Sequence, residues 1–176
     1  MYYGGKSQQV EKSTRGKARV KAHALKEIIS IKDEVYVMGH RMGDTDSFGA
    51  AVGIYRVAKT LGKQAHIALN DITTSMQPMV EMFLHNDNYE EDMIINNTQA
   101  LEMIGGNAVL VVVDVNKPSI TECPELLKRC HSIVVFDHHR QGSEIIENAT
   151  LSYIEAYASS TCEMVSEILQ YTSDTL

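Results

Sequence analysis

No apolar stretch of this chain approaches the roughly 20 residues that a membrane-spanning helix requires. Its first residues, Met1-Tyr2-Tyr3-Gly4-Gly5-Lys6, lack the apolar region of a secretory signal. Cysteine is scarce: Cys123, Cys130 and Cys162 stand in no paired or zinc-ribbon spacing. Reduced structural thiols and a soluble cytoplasmic domain are the expectation. Positive charge is also in deficit, with 16 Lys and Arg against 23 Asp and Glu, a net charge of −7. That balance speaks against a broad nucleic-acid surface, and no long nucleic acid is expected as a partner. It leaves room for a small nucleotide, because metal ions at a site supply positive charge that a residue count omits. Internal repeats and low-complexity segments are absent.

What is present fits one domain with a real core: 176 residues, 44% hydrophobic and 22% charged. In the lead-in segment, Ala24, Leu25, Ile28 and Ile29 sit at helical spacing and predict a helix running into the first strand. The basic stretch from Lys12 to Lys21 reads as a solvated helix face or linker. Val35 to Met38 predicts a strand closed by Gly39. Ser47 to Leu61 predicts a helix with Asp46 or Ser47 as its cap and Gly62 as its stop. Small residues at 49, 50, 51 and 53 would let that helix lie close to the sheet. Gln64 to Leu69 predicts the second strand. Thr73-Thr74-Ser75 would cap a short helix to about Phe83. Asp92 to Ile95 is a candidate strand, and Thr98 to Ile104 a candidate helix.

Ala108 to Val113, apolar throughout, predicts a central strand covered on both faces. Pro124 to Cys130 predicts a helix, Ser132 to Phe136 the next strand and Leu151 to Ile154 an edge strand. Ser160-Thr161-Cys162-Glu163 has capping-box form and opens a helix to about Tyr171. Strands alternating with helices imply an α/β fold with a mostly parallel sheet and helices on both faces.

Three clusters carry the chemistry. His40, Asp44 and Asp46 follow the first strand, Asp114 ends the central strand, and Asp137-His138-His139 end the strand after it. Strand C-termini of a parallel sheet converge on one edge, where ligands bind. Carboxylates with imidazoles suit Mn²⁺, Mg²⁺ or Fe²⁺ better than a closed structural zinc site. Neighbouring carboxylates without a cation repel one another, and a metal resolves that conflict. Asp114 is placed to bridge two ions, and His138 to reach the same crevice. Two ions about 3.5–4 Å apart can generate a hydroxide and stabilise charge on a phosphoryl oxygen. His139 is then free for phosphate binding or proton transfer, with Arg140 a further phosphate contact. An Asp after a strand is by itself most often a cap, and adjacent histidines are more often surface residues than ligands. The clusters gain force jointly, because all three fall at predicted strand ends with the same ligand chemistry. His23, His66, His85 and His131 read as structural or solvent-exposed.

His40-x-x-x-Asp44-x-Asp46 before Gly49-Ala50, Val113-Asp114, and Asp137-His138-His139 resemble the first three motifs of the DHH phosphoesterases. Wider segments resemble the membrane-anchored cyclic-di-AMP phosphodiesterases of the GdpP type. They are Tyr2 to Lys6, the basic run to Leu25, Asp114 to Ser119, and Tyr153 to Thr161. The resemblance implies two Mn²⁺ ions, one on His40 and Asp44, the other on Asp46 and His138, with Asp114 bridging. It implies that Asp137 orients His138, that His139 contacts the scissile phosphate, and that cyclic-di-AMP is hydrolysed to linear pApA.

The resemblance further implies that residues 1–30 are a linker and lead-in helix from an upstream region, with membrane helices before it in the parent protein. Residues 31–176 would be a DHH domain that stops before the family's fourth motif and lacks the C-terminal DHHA1 lobe. Asp174 is in no matching context. A homodimer, through apolar surface at the truncation, is a further expectation. The alternatives are an oligoribonuclease or RecJ-like nuclease of the same superfamily, and a non-catalytic nucleotide- or metal-binding module.

Overall fold

The computed structural model describes residues 2–84, 86–155, 158 and 160–173, with backbone alone for 2–15 and 173. The readings of His85 and Asp174 fall outside these residues, as do the side chains of Tyr2 to Lys6. Helix α1 (Tyr2–Ser30) leads into β1 (Glu34–Met38), followed by α2 (Thr45–Thr60), β2 (Gln64–Ala68), α3 (Gln77–Leu84), β3 (Ile94–Ile95) and α4 (Asn97–Met103). The second half contains β4 (Ala108–Val113), a 3₁₀ turn (Pro118–Ile120), α5 (Pro124–Arg129), β5 (Ser132–Asp137), β6 (Leu151–Ile154) and α6 (Thr161–Ser173).

The six strands form one parallel sheet in the order β3-β2-β1-β4-β5-β6. Every residue of β4 is buried, as a central strand with helices on both faces demands. Alternation divides the core in two. Val35, Val37, Val109, Val111, Val113, Val134 and Phe136 face α1, α2, α3 and α6. Tyr36, Met38, Leu110, Val112, Ile133 and Val135 face α4 and α5. No helix among the described residues is long and apolar enough to cross a membrane.

Three local details differ from the sequence reading. The stripe that α1 buries is Ala18, Ala22, Leu25 and Ile29, with Ala24 and Ile28 at its margin. The cap of α2 is Asp44, whose Oδ1 accepts from the Ser47 N–H at 3.1 Å, rather than Asp46 or Ser47. Of the small residues on α2, Ala50 and Ala51 enter the core, but Gly49 and Gly53 face α6. A Cβ on Gly53 would stand 2.6 Å from Val165 Cγ1, and one on Gly49 would stand 3.1 Å from Cys162 Sγ. These two glycines, one turn apart, permit close approach of α6 to α2.

Connections from β1 run outward through β2 to β3, and those from β4 run the other way to β6. The switch lies between β1 and β4, and the crevice beyond their C-termini is where such sheets bind ligands. Met38 pairs with Val112, and Val113 with Phe136. His40, Asp114 and Asp137 therefore emerge at nearly one level along that edge.

Candidate metal centre

Gly39 lets the chain leave β1 tightly, because a Cβ there would collide with Ser47 Oγ. The loop is then tied across the switch point: Glu122 N–H donates to Gly39 O at 2.8 Å, and Arg41 N–H to Ile120 O at 3.0 Å. Asp114 leaves β4 with φ 63°, in the left-handed region, while its N–H still bonds Phe136 O at 2.8 Å. Asp tolerates that conformation better than most residues, at a cost of about 1–2 kcal/mol. The kink turns the carboxylate out of the strand's regular alternation.

Asp44, Asp46 and Asp114 each offer an oxygen within 4.8 Å of the others, and Asp114, Asp137, His138 and His139 form a second such group. Asp114 belongs to both. Its side chain is 10% exposed, and His138 Nε2 lies 3.3 Å from its Oδ1. Burial, with Asp46 and Asp44 as neighbouring negative charges, pushes the Asp114 carboxyl up to about 7, against a lowering by the Thr161 hydroxyl and His139. A carboxylate that resists ionising among other carboxylates is the condition that a bound cation relieves.

Asp137 is 0% exposed and fully engaged. Its Oδ1 accepts from the His138 N–H at 2.8 Å and the His139 N–H at 3.2 Å, and lies 2.7 Å from His139 Nδ1. Its Oδ2 accepts from Asn116 Nδ2 at 2.6 Å. The expected imidazole partner of Asp137 was His138; the ring it holds is that of His139. The two rings lie 4.1 Å apart between centroids. Arg140 is exposed on the loop after β5.

His40 lies in neither group of convergent atoms among the described residues. Its Nδ1 accepts from the Met42 N–H at 2.8 Å, which leaves the proton of the neutral ring on Nε2. Burial, Arg41 and His139 all lower its proton affinity, with Asp44 opposing, which favours the neutral ring. Were a metal to bind Nε2, that proton would have to move to Nδ1 and the Met42 bond would end, so the turn at 40–42 would have to adjust. The remaining donors, carboxylate oxygens and imidazole nitrogens without thiolate, fit Mn²⁺ or Mg²⁺ as they stand.

Two participants were not singled out from sequence as site residues. Asn116, 4% exposed, donates from Nδ2 to Asp137 and to His139 O at 3.2 Å. Thr161, at the start of α6, donates from Oγ1 to Asp114 Oδ1 at 3.0 Å. Asn116 lies two residues beyond Asp114 and Thr161 opens α6; both fall in segments that carry the family resemblance, where neither was given a role. Both are polar residues that the fold buries, which sequence alone does not reveal. His66, read as structural, is buried with Nδ1 2.7 Å from Asp92 O and its ring 5.3 Å from that of Tyr36.

A family model described as the DHH family, N-terminal domain, matches residues 34–176. The chain is 42% identical over 174 residues to a cyclic-di-AMP phosphodiesterase, GdpP, of Bacillus subtilis (strain 168), covering 97% of this chain and 26% of that protein. It is 40% identical over 177 residues to the cyclic-di-AMP phosphodiesterase PdeA of Listeria monocytogenes, covering 98% of this chain and again 26% of the relative. The chain thus spans about a quarter of the length of these relatives. Among solved structures, an exopolyphosphatase-related protein from Bacteroides fragilis matches with a TM-score of 0.62 at 16% identity, over 87% of this chain and 44% of that one. The exonuclease RecJ bound to manganese matches with a TM-score of 0.51 at 16% identity, over 90% of this chain and 37% of that one. At that identity the structural matches establish the fold.

Proposed function

The chain belongs to the DHH family, and from that premise we propose that it is the metal-binding domain of a phosphodiesterase that hydrolyses cyclic-di-AMP to linear pApA. The observation that carries this reading is the position of Asp114, shared between two convergent sets of ligand atoms, as a carboxylate bridging two ions must be. The substrate follows from the two relatives, each named a cyclic-di-AMP phosphodiesterase and each similar over nearly the whole chain. The activity is proposed for the parent protein. In it, residues 1–30 would be a lead-in helix and residues 31–176 the DHH domain, with membrane helices elsewhere and this domain facing the cytoplasm.

His40 and Asp44 would hold one Mn²⁺, Asp46 and His138 the other, and Asp114 both. Such a pair, when bound, supplies a hydroxide at neutral pH and stabilises charge on the phosphoryl oxygens. The chain's own groups do the rest. With Nδ1 bound to the buried Asp137, His139 keeps Nε2 for a phosphate oxygen or for the proton of the leaving oxygen. Asn116 holds Asp137 from behind, fixing that ring. Arg140 supplies a guanidinium on the same loop for a phosphate.

The test is Mn²⁺-dependent hydrolysis of cyclic-di-AMP, by this chain and by a version as long as the relatives, with pApA and a short linear RNA as competing substrates. Conversion of the cyclic dinucleotide to pApA is the expected result. Preference for linear RNA would favour the nuclease reading instead. Mn²⁺ binding without turnover by either version would leave a binding module.

A further inference from the structure

The first turn of α6 grips two of the candidate ligands from outside the three clusters. Thr161 is 0% exposed. Its Oγ1 donates to Asp114 Oδ1 at 3.0 Å, and its N–H to Asp46 Oδ2 at 3.3 Å. The next N–H, of Cys162, donates to Asp46 Oδ1 at 2.9 Å. The turn itself is fixed by Ser160 Oγ, which accepts from the Glu163 N–H at 3.1 Å. It is also pressed onto α2 where Gly49 and Gly53 clear space for Cys162 and Val165. Asp46 lies in the first turn of α2 and Asp114 beyond β4. One residue thus ties together side chains from two separate elements.

Two facing carboxylates repel until an ion arrives, and each has several rotamers that separate them. N–H groups and positive dipole at a helix start favour a negative charge placed against them. A carboxylate has about four lone-pair sites, so the donors from α6 leave Asp46 and Asp114 free to ligate as well. We propose that Thr161 is a positioning residue of the metal pair: its hydroxyl fixes the Asp114 carboxylate, while the backbone of the same turn fixes Asp46, so that α6 sets the spacing of the two. This rests on the metal-site reading above.

The experiment is a Mn²⁺ titration of this chain by calorimetry, with free ion counted by electron paramagnetic resonance and metal-free melting recorded for every variant. Thr161→Val keeps the shape and removes the donor; Mn²⁺ affinity should fall about 10–100-fold, as it does when hydrogen-bond partners of metal ligands are removed. Thr161→Ser keeps the donor and should bind within about threefold of the parent, because the hydroxyl is the active group in this reading. Should the Val variant not fold, Thr161→Ala takes its place. Equal Mn²⁺ affinity in the parent and a folded donor-less variant would overturn the proposal alone. So would a Ser variant as weak as Val, which would make the methyl group's packing the cause. A parent chain that binds no Mn²⁺ would overturn the metal-site reading, and this proposal with it.

Discussion

Asp137 and His139 are joined by a 2.7 Å contact between Oδ1 and Nδ1, although His138 is the residue directly after Asp137. The backbone turn at the end of β5 gives His138 only its N–H to Asp137 and sends its Nε2 to within 3.3 Å of Asp114. Adjacent histidines are thereby divided. One faces the carboxylate common to both ligand groups, and the other is braced by a buried acid with an amide behind it.

That division predicts different losses for the two rings. His139→Ala should leave Mn²⁺ stoichiometry unchanged and lower turnover of a catalytically active form about 10²–10⁴-fold, the usual contribution of a positioned proton-transfer group. His138→Ala should lose one ion. Calorimetric Mn²⁺ titration beside cyclic-di-AMP hydrolysis separates them. Loss of an ion from the His139 variant instead would reverse the assignment.

The Asp114 carboxyl predicts a pH dependence whose sign is unusual for an acid. Its folded value, about 7, lies above the ordinary 3.8, so the unfolded chain gives up this proton first as pH rises. The metal-free fold should lose stability between about pH 4 and pH 7 from this group, by an order of 2–4 kcal/mol, and no further above that. Asp114→Asn, which tolerates the same positive φ and can still accept from Thr161, should flatten that slope and raise the metal-free melting temperature at pH 8. Paired-metal binding should vanish in the same variant. In the parent, Mn²⁺ affinity should climb as pH rises through about 7, because the ion displaces the proton. Thermal melts at pH 5 and pH 8, with and without Mn²⁺, check each sign.

His40 predicts a local change on loading. The Met42 N–H is bound to His40 Nδ1 at 2.8 Å, and that bond ends if Nε2 takes a metal. Addition of Mg²⁺, which is diamagnetic, should shift the Met42 amide resonance and speed its hydrogen exchange, while the amide of Ala108, at the far end of β4, stays unchanged. An unmoved Met42 amide with metal bound would remove His40 from the ligand set.

The fold was legible because its cues are periodic. The unbroken apolar run from Ala108 to Val113 pointed to a doubly covered central strand, and it lies at the centre of the sheet. The convergence of Asp44, Asp46, Asp114 and His138 followed from chain direction, since parallel strand ends share an edge. Features decided by tertiary contact did not show in sequence. Asp44, extended just before the first helical residue, takes the cap of α2, and the Asp46 carboxylate is bound instead by N–H groups of α6. Gly49 and Gly53 signal close approach, but the identity of the neighbour is settled by α6, which arrives more than a hundred residues later.

Gly53 therefore gives the sharpest packing test. A Cβ there would stand 2.6 Å from Val165 Cγ1 and 3.4 Å from Leu169 Cδ1, so in Gly53→Ala the Val165 side chain has to give way, and the expected response is a shift of α6. Overpacking of this kind costs about 1–3 kcal/mol, offset by up to about 1 kcal/mol from replacing glycine within a helix. Net destabilisation is expected, and because Thr161 and Cys162 move with α6, Mn²⁺ affinity should fall too. Val165→Ala on its own should lose about 1–3 kcal/mol through the buried methyl groups removed. Combined with Gly53→Ala it should restore the space, so the double variant should be more stable than the two separate losses sum to, with Mn²⁺ binding recovered. Chemical denaturation of the four proteins reads the coupling. Strict additivity would mean that α6 accommodates the extra methyl elsewhere, and that its seat on α2 does not govern the position of its first turn.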